Sequence, residues 1–175
     1  MAGISGKRVA LLIAQEFQDQ EAFYPLYRLR EEGAHVTVLG AEQGQTYKGK
    51  LGWSLKADRS IRETAADEFD AVVIPGGWAP DFMRREPAFK AFTRAAIEKN
   101  LVVAAICHAG WLLASTKLIA GRRLTSFHAI RDDLEHAGAE WVDAEVVVDK
   151  NLVTSRVPDD LPAFLRAIIG RLAER

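Results

Sequence analysis

Three apolar runs without polar alternation constrain this chain more than any other feature. Val9-Ala10-Leu11-Leu12-Ile13-Ala14, Ala71-Val72-Val73-Ile74 and Val102-Val103-Ala104-Ala105-Ile106 each place apolar side chains on both faces of an extended backbone. A strand buried on both faces belongs inside a parallel sheet covered by helices. Strands are therefore predicted over residues 8–14, 69–74 and 102–106. Helical spacing separates them as that arrangement requires. Residues 20–32 carry Ala22, Phe23, Leu26, Tyr27 and Leu29 and close at Gly33, and residues 87–99 carry Ala88, Phe89, Phe92, Ala96 and Ile97. A further strand over 35–40 completes a βαβ unit, for which a right-handed crossover is expected.

The remaining segments are shorter. Residues 43–61, polar and punctuated by Gly44, Gly49 and Gly52, predict a small hairpin or excursion. After the cysteine come a helix over 109–115, a short strand over 122–126 and a helix over 130–137 ended by Gly138. A hairpin over 144–155 turns at Asp149-Lys150-Asn151, and an amphipathic helix over 161–172 follows Pro158-Asp159-Asp160. The sum is one three-layer α/β domain, residues 1–175, with a mostly parallel sheet. A length of 175 residues, 49% hydrophobic and 27% charged, suits one such core. The net charge of −1 gives no electrostatic reason to expect nucleic acid or a membrane surface as partner. One cysteine excludes an internal disulfide framework and points to a reducing compartment. The run 9–14 is too short for a signal-peptide core or a membrane span, so a soluble cytoplasmic protein is expected.

In such folds ligands sit beyond the carboxyl ends of the strands, so residues 15–21, Gly76-Gly77 and Cys107-His108 are predicted to converge. A strand running straight into a helix presents Cys107 beside unpaired N–H groups, which lower a thiol pKa. Taken alone, Cys107 reads equally well as an inert core thiol. His108 is either a general base or a solvated loop histidine, and a sequence neighbour more often points away. Gly76-Gly77 offers N–H groups to an oxyanion or simply turns the chain. No dinucleotide fingerprint or phosphate loop occurs, and no cofactor is expected. Glu16, Asp19 and Glu21 read as solvated acids at a helix start. The histidines at 35, 108, 128 and 136 lack ligand spacing, so no metal is expected. Arg84-Arg85 and Arg122-Arg123 read as solvated surface, and the four tryptophans as core or interface.

Taken together, these pieces resemble the PfpI family, within the superfamily of cysteine hydrolase-like and deglycase proteins. The resemblance rests on Glu16-Phe17-Gln18-Asp19-Gln20-Glu21 with Tyr24-Pro25, on Pro75-Gly76-Gly77-Trp78-Ala79-Pro80-Asp81 and on Ala105-Ile106-Cys107-His108. It extends through Ser126, Ile130-Arg131-Asp132-Asp133, Ala137-Gly138-Ala139-Glu140-Trp141 and Ser155-Arg156-Val157-Pro158-Asp159-Asp160, covering nearly the whole chain in order. It implies a flavodoxin-like, class I glutamine amidotransferase-like α/β/α sandwich. It also implies Cys107 as nucleophile, His108 as its partner, and Glu21 as a protonated carboxyl beside the thiol. The N–H groups of Gly77 and His108 would form the oxyanion site, and Glu16, Gly76, Trp78, Phe127 and His128 would line the substrate pocket. Asp81 would orient the histidine of a neighbouring subunit in a homo-oligomer, dimer or hexamer.

Five positions depart from the family pattern. Asp81 stands where Glu is common, Phe127 replaces a usual tyrosine, His128 a usual proline, and Ala109-Gly110 a usual Gly-Pro. These changes count against peptidase activity more than against thiol reactivity. The glutaminase His-x-Glu is absent from Ser155-Arg156-Val157-Pro158-Asp159, which argues against glutamine hydrolysis. The implied function is a stress-related Cys107-dependent hydrolase, either a peptidase or a glyoxalase/deglycase acting on methylglyoxal and glycated groups. The alternative is a redox-sensing protein whose Cys107 is oxidised to sulfinic acid. A third reading is a chaperone-like or scaffold oligomer.

Overall fold

The apolar runs occupy the centre of a seven-stranded sheet in the computed structural model, which describes residues 3–175. The first two residues of the expected domain lie outside the described residues. The sheet contains β1 (Arg8–Leu12), β2 (His35–Gly40), β5 (Arg59–Ser60), β6 (Ala71–Ile74), β7 (Val102–Ile106), β10 (Val146–Asp149) and β11 (Leu152–Ser155). Their order is β10-β11-β7-β6-β1-β2-β5, parallel throughout except where β10 returns antiparallel to β11. The core order β2-β1-β6-β7-β11 is flavodoxin-like, with its switch point between β1 and β6.

Every residue of β6, β7 and β11 is buried, as the apolar runs required. Helix α1 (Asp19–Glu31) packs with α6 (Leu161–Ala173), while α2 (Ala79–Arg85), α3 (Pro87–Glu98) and α4 (Gly110–Ser115) pack with one another. Strand β7 is covered by both α3 and α6, which makes the three layers. No helix among the described residues is long and apolar enough to cross a membrane.

Several local expectations change. Strand β1 stops at Leu12, although Ile13 N–H still donates to Leu39 and residues 13 and 14 remain buried. Helix α2 was not legible as an element: it spans seven residues, and Pro80 is tolerated only because it sits in the first turn, where its missing N–H has no partner to lose. The excursion over 43–61 resolves into a hairpin of β3 (Thr46–Lys48) and β4 (Ser54–Lys56), followed by β5, which joins the main sheet beside β2. The strand expected over 122–126 is only β8 (Arg123–Leu124). It pairs in parallel with β9 (Glu140–Trp141) outside the main sheet, beyond helix α5 (Arg131–His136).

Arg122 is not a solvated charge. Its Nε meets Asp149 Oδ2 at 2.7 Å with only 12% of the side chain exposed. Trp53 and Trp78 stand at the surface rather than in the core.

The loop that delivers β7 is fixed by Asn151. Its Nδ2 donates to the carbonyls of Ile97 at 3.2 Å and Leu101 at 3.0 Å, while its Oδ1 accepts from Arg122 at 3.2 Å. Asn151→Ala removes these three hydrogen bonds from a buried place, and urea unfolding is expected to show a loss of about 2–4 kcal/mol.

Candidate active site

Three strand ends meet at the switch point. After β1 the chain bends at Glu16, whose φ is +61°, and its segment is stapled to the loop after β6. Gln18 N–H donates to Gly76 O at 3.2 Å and Trp78 N–H to Glu16 O at 2.8 Å, making an antiparallel bridge between Phe17 and Gly77. Gly77 adopts φ +72°, and a Cβ there would lie 2.4 Å from Glu16 O. Only glycine fits that turn. After β7 the backbone enters a single 3-10 turn over Cys107–Ala109 and then α4, with Cys107 itself at φ +62°. A left-handed conformation at a non-glycine residue is strained by about 1–2 kcal/mol, and here it turns the thiol toward the other two loops. The expected convergence is what the structure contains: a Cβ on Gly76 would meet Cys107 Cβ and Glu21 Oε2 at 2.7 Å and His108 N at 3.0 Å.

Glu21 and Asp19 are not solvated. Asp19 is buried, and its carboxylate accepts the N–H groups of Leu51 at 2.8 Å and Trp53 at 3.0 Å. Glu21 has no exposed surface. Its Oε2 accepts the Gly76 N–H at 2.7 Å, while Oε1 has no hydrogen-bond partner of ordinary geometry, although the Cys107 thiol lies within interaction range. Burial raises the Glu21 pKa to about 7, against the opposing pull of the Gly76 N–H, the thiol and the Lys50 charge.

Burial and the Glu21 charge also push the Cys107 thiol up to about 12, opposed by the N–H groups of Gly77 and His108. This reverses the depression expected from the strand-to-helix turn alone. Desolvation, with the Glu21 charge added to it, outweighs the turn's N–H groups, and the mutual effect of thiol and carboxyl makes the two titrate as a pair.

His108 points toward its neighbour, against the expectation from sequence adjacency: Nδ1 lies 3.2 Å from Cys107 Sγ. Burial, Lys50 and His128 lower its pKa, so the imidazole is neutral near pH 7 and can take a proton. Its ring is held among aromatic groups. Phe127 stacks on it at 5.0 Å between centroids, Trp111 meets it edge-on at 5.0 Å, and Trp78 lies at 5.6 Å. The His128 ring lies 4.4 Å from that of Phe127 between centroids. Of the residues expected at the site, Cys107, His108, Glu21, Gly76, Gly77, Trp78, Phe127 and His128 therefore gather there, and Glu16 contributes through its backbone. Asp81 stands apart on α2, ion-paired with Arg85 and bonded to no histidine among the described residues.

Two residues that the sequence did not single out belong with the site. Trp111, at the start of α4, packs on His108 and donates to Asp133 at 2.8 Å. Lys50 lies in the β3–β4 turn, where its N–H donates to Phe17 O at 2.9 Å, and its charge acts on both Glu21 and His108. Only its adjacent glycines marked that turn as special. No cluster able to hold a metal ion occurs among the described residues.

The sequence matches the DJ-1/PfpI family over residues 7–171. It is 47% identical over 168 residues to the protein/nucleic acid deglycase 2 of Escherichia coli, covering 95% of this chain and 98% of that one. It is 43% identical over 169 residues to general stress protein 18 of Bacillus subtilis, with 95% and 98% covered. A two-domain Anabaena variabilis protein with DJ-1/ThiJ/PfpI-like and ferritin-like domains superposes with a TM-score of 0.93 at 47% identity, over 95% of this chain and 48% of that one.

The raised Glu21 pKa fixes a pH dependence of stability. The folded carboxyl keeps its proton to about pH 7, whereas the unfolded one loses it near 4.5, so stability falls as pH rises through that window. Glu21→Gln keeps an acceptor for Gly76 and removes the buried charge. Its urea-unfolding free energy is expected to match the wild type below pH 4.5 and to exceed it by up to about 3 kcal/mol at pH 8.

Proposed function

The chain belongs to the DJ-1/PfpI family, and on that premise we propose that it is a cytoplasmic, stress-related enzyme using Cys107 as nucleophile on small reactive carbonyls and their glycated adducts. The observation that carries this reading is the contact of Cys107 Sγ with a neutral His108 Nδ1 at 3.2 Å, beside a buried carboxyl that is half protonated near neutrality. The deglycase relative supports it. The chemistry is carried by a single domain.

With methylglyoxal, His108 Nδ1 takes the thiol proton as sulfur adds to the aldehyde carbon. The hemithioacetal oxyanion is held by the N–H groups of Gly77 and His108. A proton leaves the former aldehyde carbon and another arrives at the neighbouring carbon, shuttled by Glu21 or His108, which gives a lactoyl thioester. Water then cleaves the thioester, releasing lactate and the thiol. The net change is addition of one water. Phe127 in place of a phenol weighs against peptide hydrolysis and in favour of carbonyl substrates.

The working form is a homo-oligomer, dimer or hexamer, in which Asp81 approaches the histidine of a neighbouring copy. A second reading is favoured by Glu21 Oε1, which has no hydrogen-bond partner of ordinary geometry among the described residues: an oxygen delivered to sulfur by a peroxide would accept its proton, and two such oxidations, each releasing water or alcohol, would leave Cys107 as a redox sensor that stops at sulfinic acid. The stress-protein relative supports that role. The chain's single cysteine leaves no resolving partner.

Purified protein incubated with methylglyoxal is expected to form lactate, and Cys107→Ala to lower the rate by at least about 10²-fold. Casein and short peptides, run in parallel, should turn over far more slowly. Equal lactate formation by the two proteins would remove the thiol from the reaction.

A further inference from the structure

The β3–β4 turn contributes a charge that the carbonyl chemistry above does not use. Residues 49–52 are clamped onto the segment that carries Glu21: Asp19 accepts the N–H groups of Leu51 and Trp53, Lys50 N–H donates to Phe17 O, and Glu16 N–H donates to Lys48 O at 2.9 Å. Gly49 packs so tightly on Asp19 that a Cβ would sit 2.5 Å from its carboxylate oxygens. Phe17 is in turn the residue bridged to Gly77. The turn, the glutamate segment and the Gly76-Gly77 loop are thus hydrogen-bonded in series, and the backbone of Lys50 is held in that chain of bonds.

Lys50 is exposed, and the one lysine in a salt bridge among the described residues is Lys99, with Asp67. Its ammonium is therefore free, and its charge is felt by the two groups that flank the thiol, Glu21 and His108. A free cation on a turn held against the segment that carries Glu21 recruits an anion that can reach the same space.

We propose that Lys50 is a substrate-binding residue that selects carbonyl compounds bearing a carboxylate, specifically 2-oxoaldehydes with an acidic tail. This deepens the carbonyl reading by naming a substrate class, and rests on it only for turnover. For 4,5-dioxopentanoate the steps balance as for methylglyoxal. Sulfur adds to the aldehyde carbon, which rises to the thioester level, the adjacent ketone carbon is reduced to the alcohol by the internal proton shift, and water releases 2-hydroxyglutarate and the thiol. No external oxidant or reductant enters.

The single cysteine permits a test that needs no turnover. Cys107 of the full-length protein is alkylated with iodoacetate and, separately, with iodoacetamide, and the ratio of the two rates is taken. Changes in thiol pKa or access cancel in that ratio, whereas attraction of the anionic reagent does not. Lys50→Met is expected to lower the ratio about fivefold, a size set by one charge at close range in a partly solvated site, and Lys50→Arg to keep it. Lys48→Met, on the same hairpin, is the control for general charge and should leave the ratio unchanged. A ratio unchanged in Lys50→Met, lost equally in Lys50→Arg, or lowered as much by Lys48→Met overturns the proposal. In a second arm, kcat/KM for 4,5-dioxopentanoate relative to methylglyoxal should fall about fivefold in Lys50→Met; an unchanged relative value also overturns it. A lowered alkylation ratio with neither oxoaldehyde consumed by the wild type would instead leave carboxylate binding at Lys50 standing and remove the carbonyl activity.

Discussion

The bond from the Gly76 N–H to Glu21 Oε2 is the constraint around which the site is arranged. It joins the first turn of α1 to the loop after β6, next to Cys107, the residue that follows β7. A carboxyl held out of water is unfavourable unless it is neutral or well paired, and this one has a single ordinary hydrogen bond. The surroundings must therefore hold it there. Phe17, Ala22, Ile74 and Ile106 are fully buried around the three converging segments, and each large apolar side chain so placed contributes about 1.5–3 kcal/mol. Apolar burial thus offsets the cost of positioning one acid.

That position makes the chemistry of the neighbouring groups collective. Glu21, Cys107 and His108 share a small number of protons, and a charge on one moves the others. A protonated Glu21 lets the sulfur carry charge, while an ionised Glu21 holds the thiol proton in place. The aromatic slot of Trp78, Trp111 and Phe127 narrows the rotations open to His108 and keeps Nδ1 near the sulfur. The strained φ of Cys107 is one more cost borne by the same packing.

The sheet was legible because burial on both faces leaves an unmistakable pattern in β1, β6 and β7. Its parallel order followed from the alternation with helices. Strand β9 and helix α2 were not legible, being too short for a period to repeat, and the strand expected over 122–126 shrinks to the two residues of β8. The site was readable in its parts and unreadable in its orientations. An acid in the first turn of a helix is solvated in most proteins, and nothing local announced that the loop after β6 would close over Glu21. Sequence adjacency argued that His108 points away, but the left-handed turn at Cys107 redirects both side chains. Lys50 was silent because its partners are distant in sequence and reached only through backbone hydrogen bonds.

The two edges of the sheet carry a consequence for how copies of this chain can meet. One edge is β5, two residues long and ended by the 3-10 turn that begins at Ile61. The other is β10, four residues long, whose last residue, Asp149, is held by Arg122 and Arg123 and which lies beside β8. Neither edge offers a long, flat row of free N–H and C=O groups onto which a foreign strand could zip. The sheet is closed to growth by strand addition, so a second copy has only side-chain surfaces to recognise, and the chain is protected at its edges against runaway stacking.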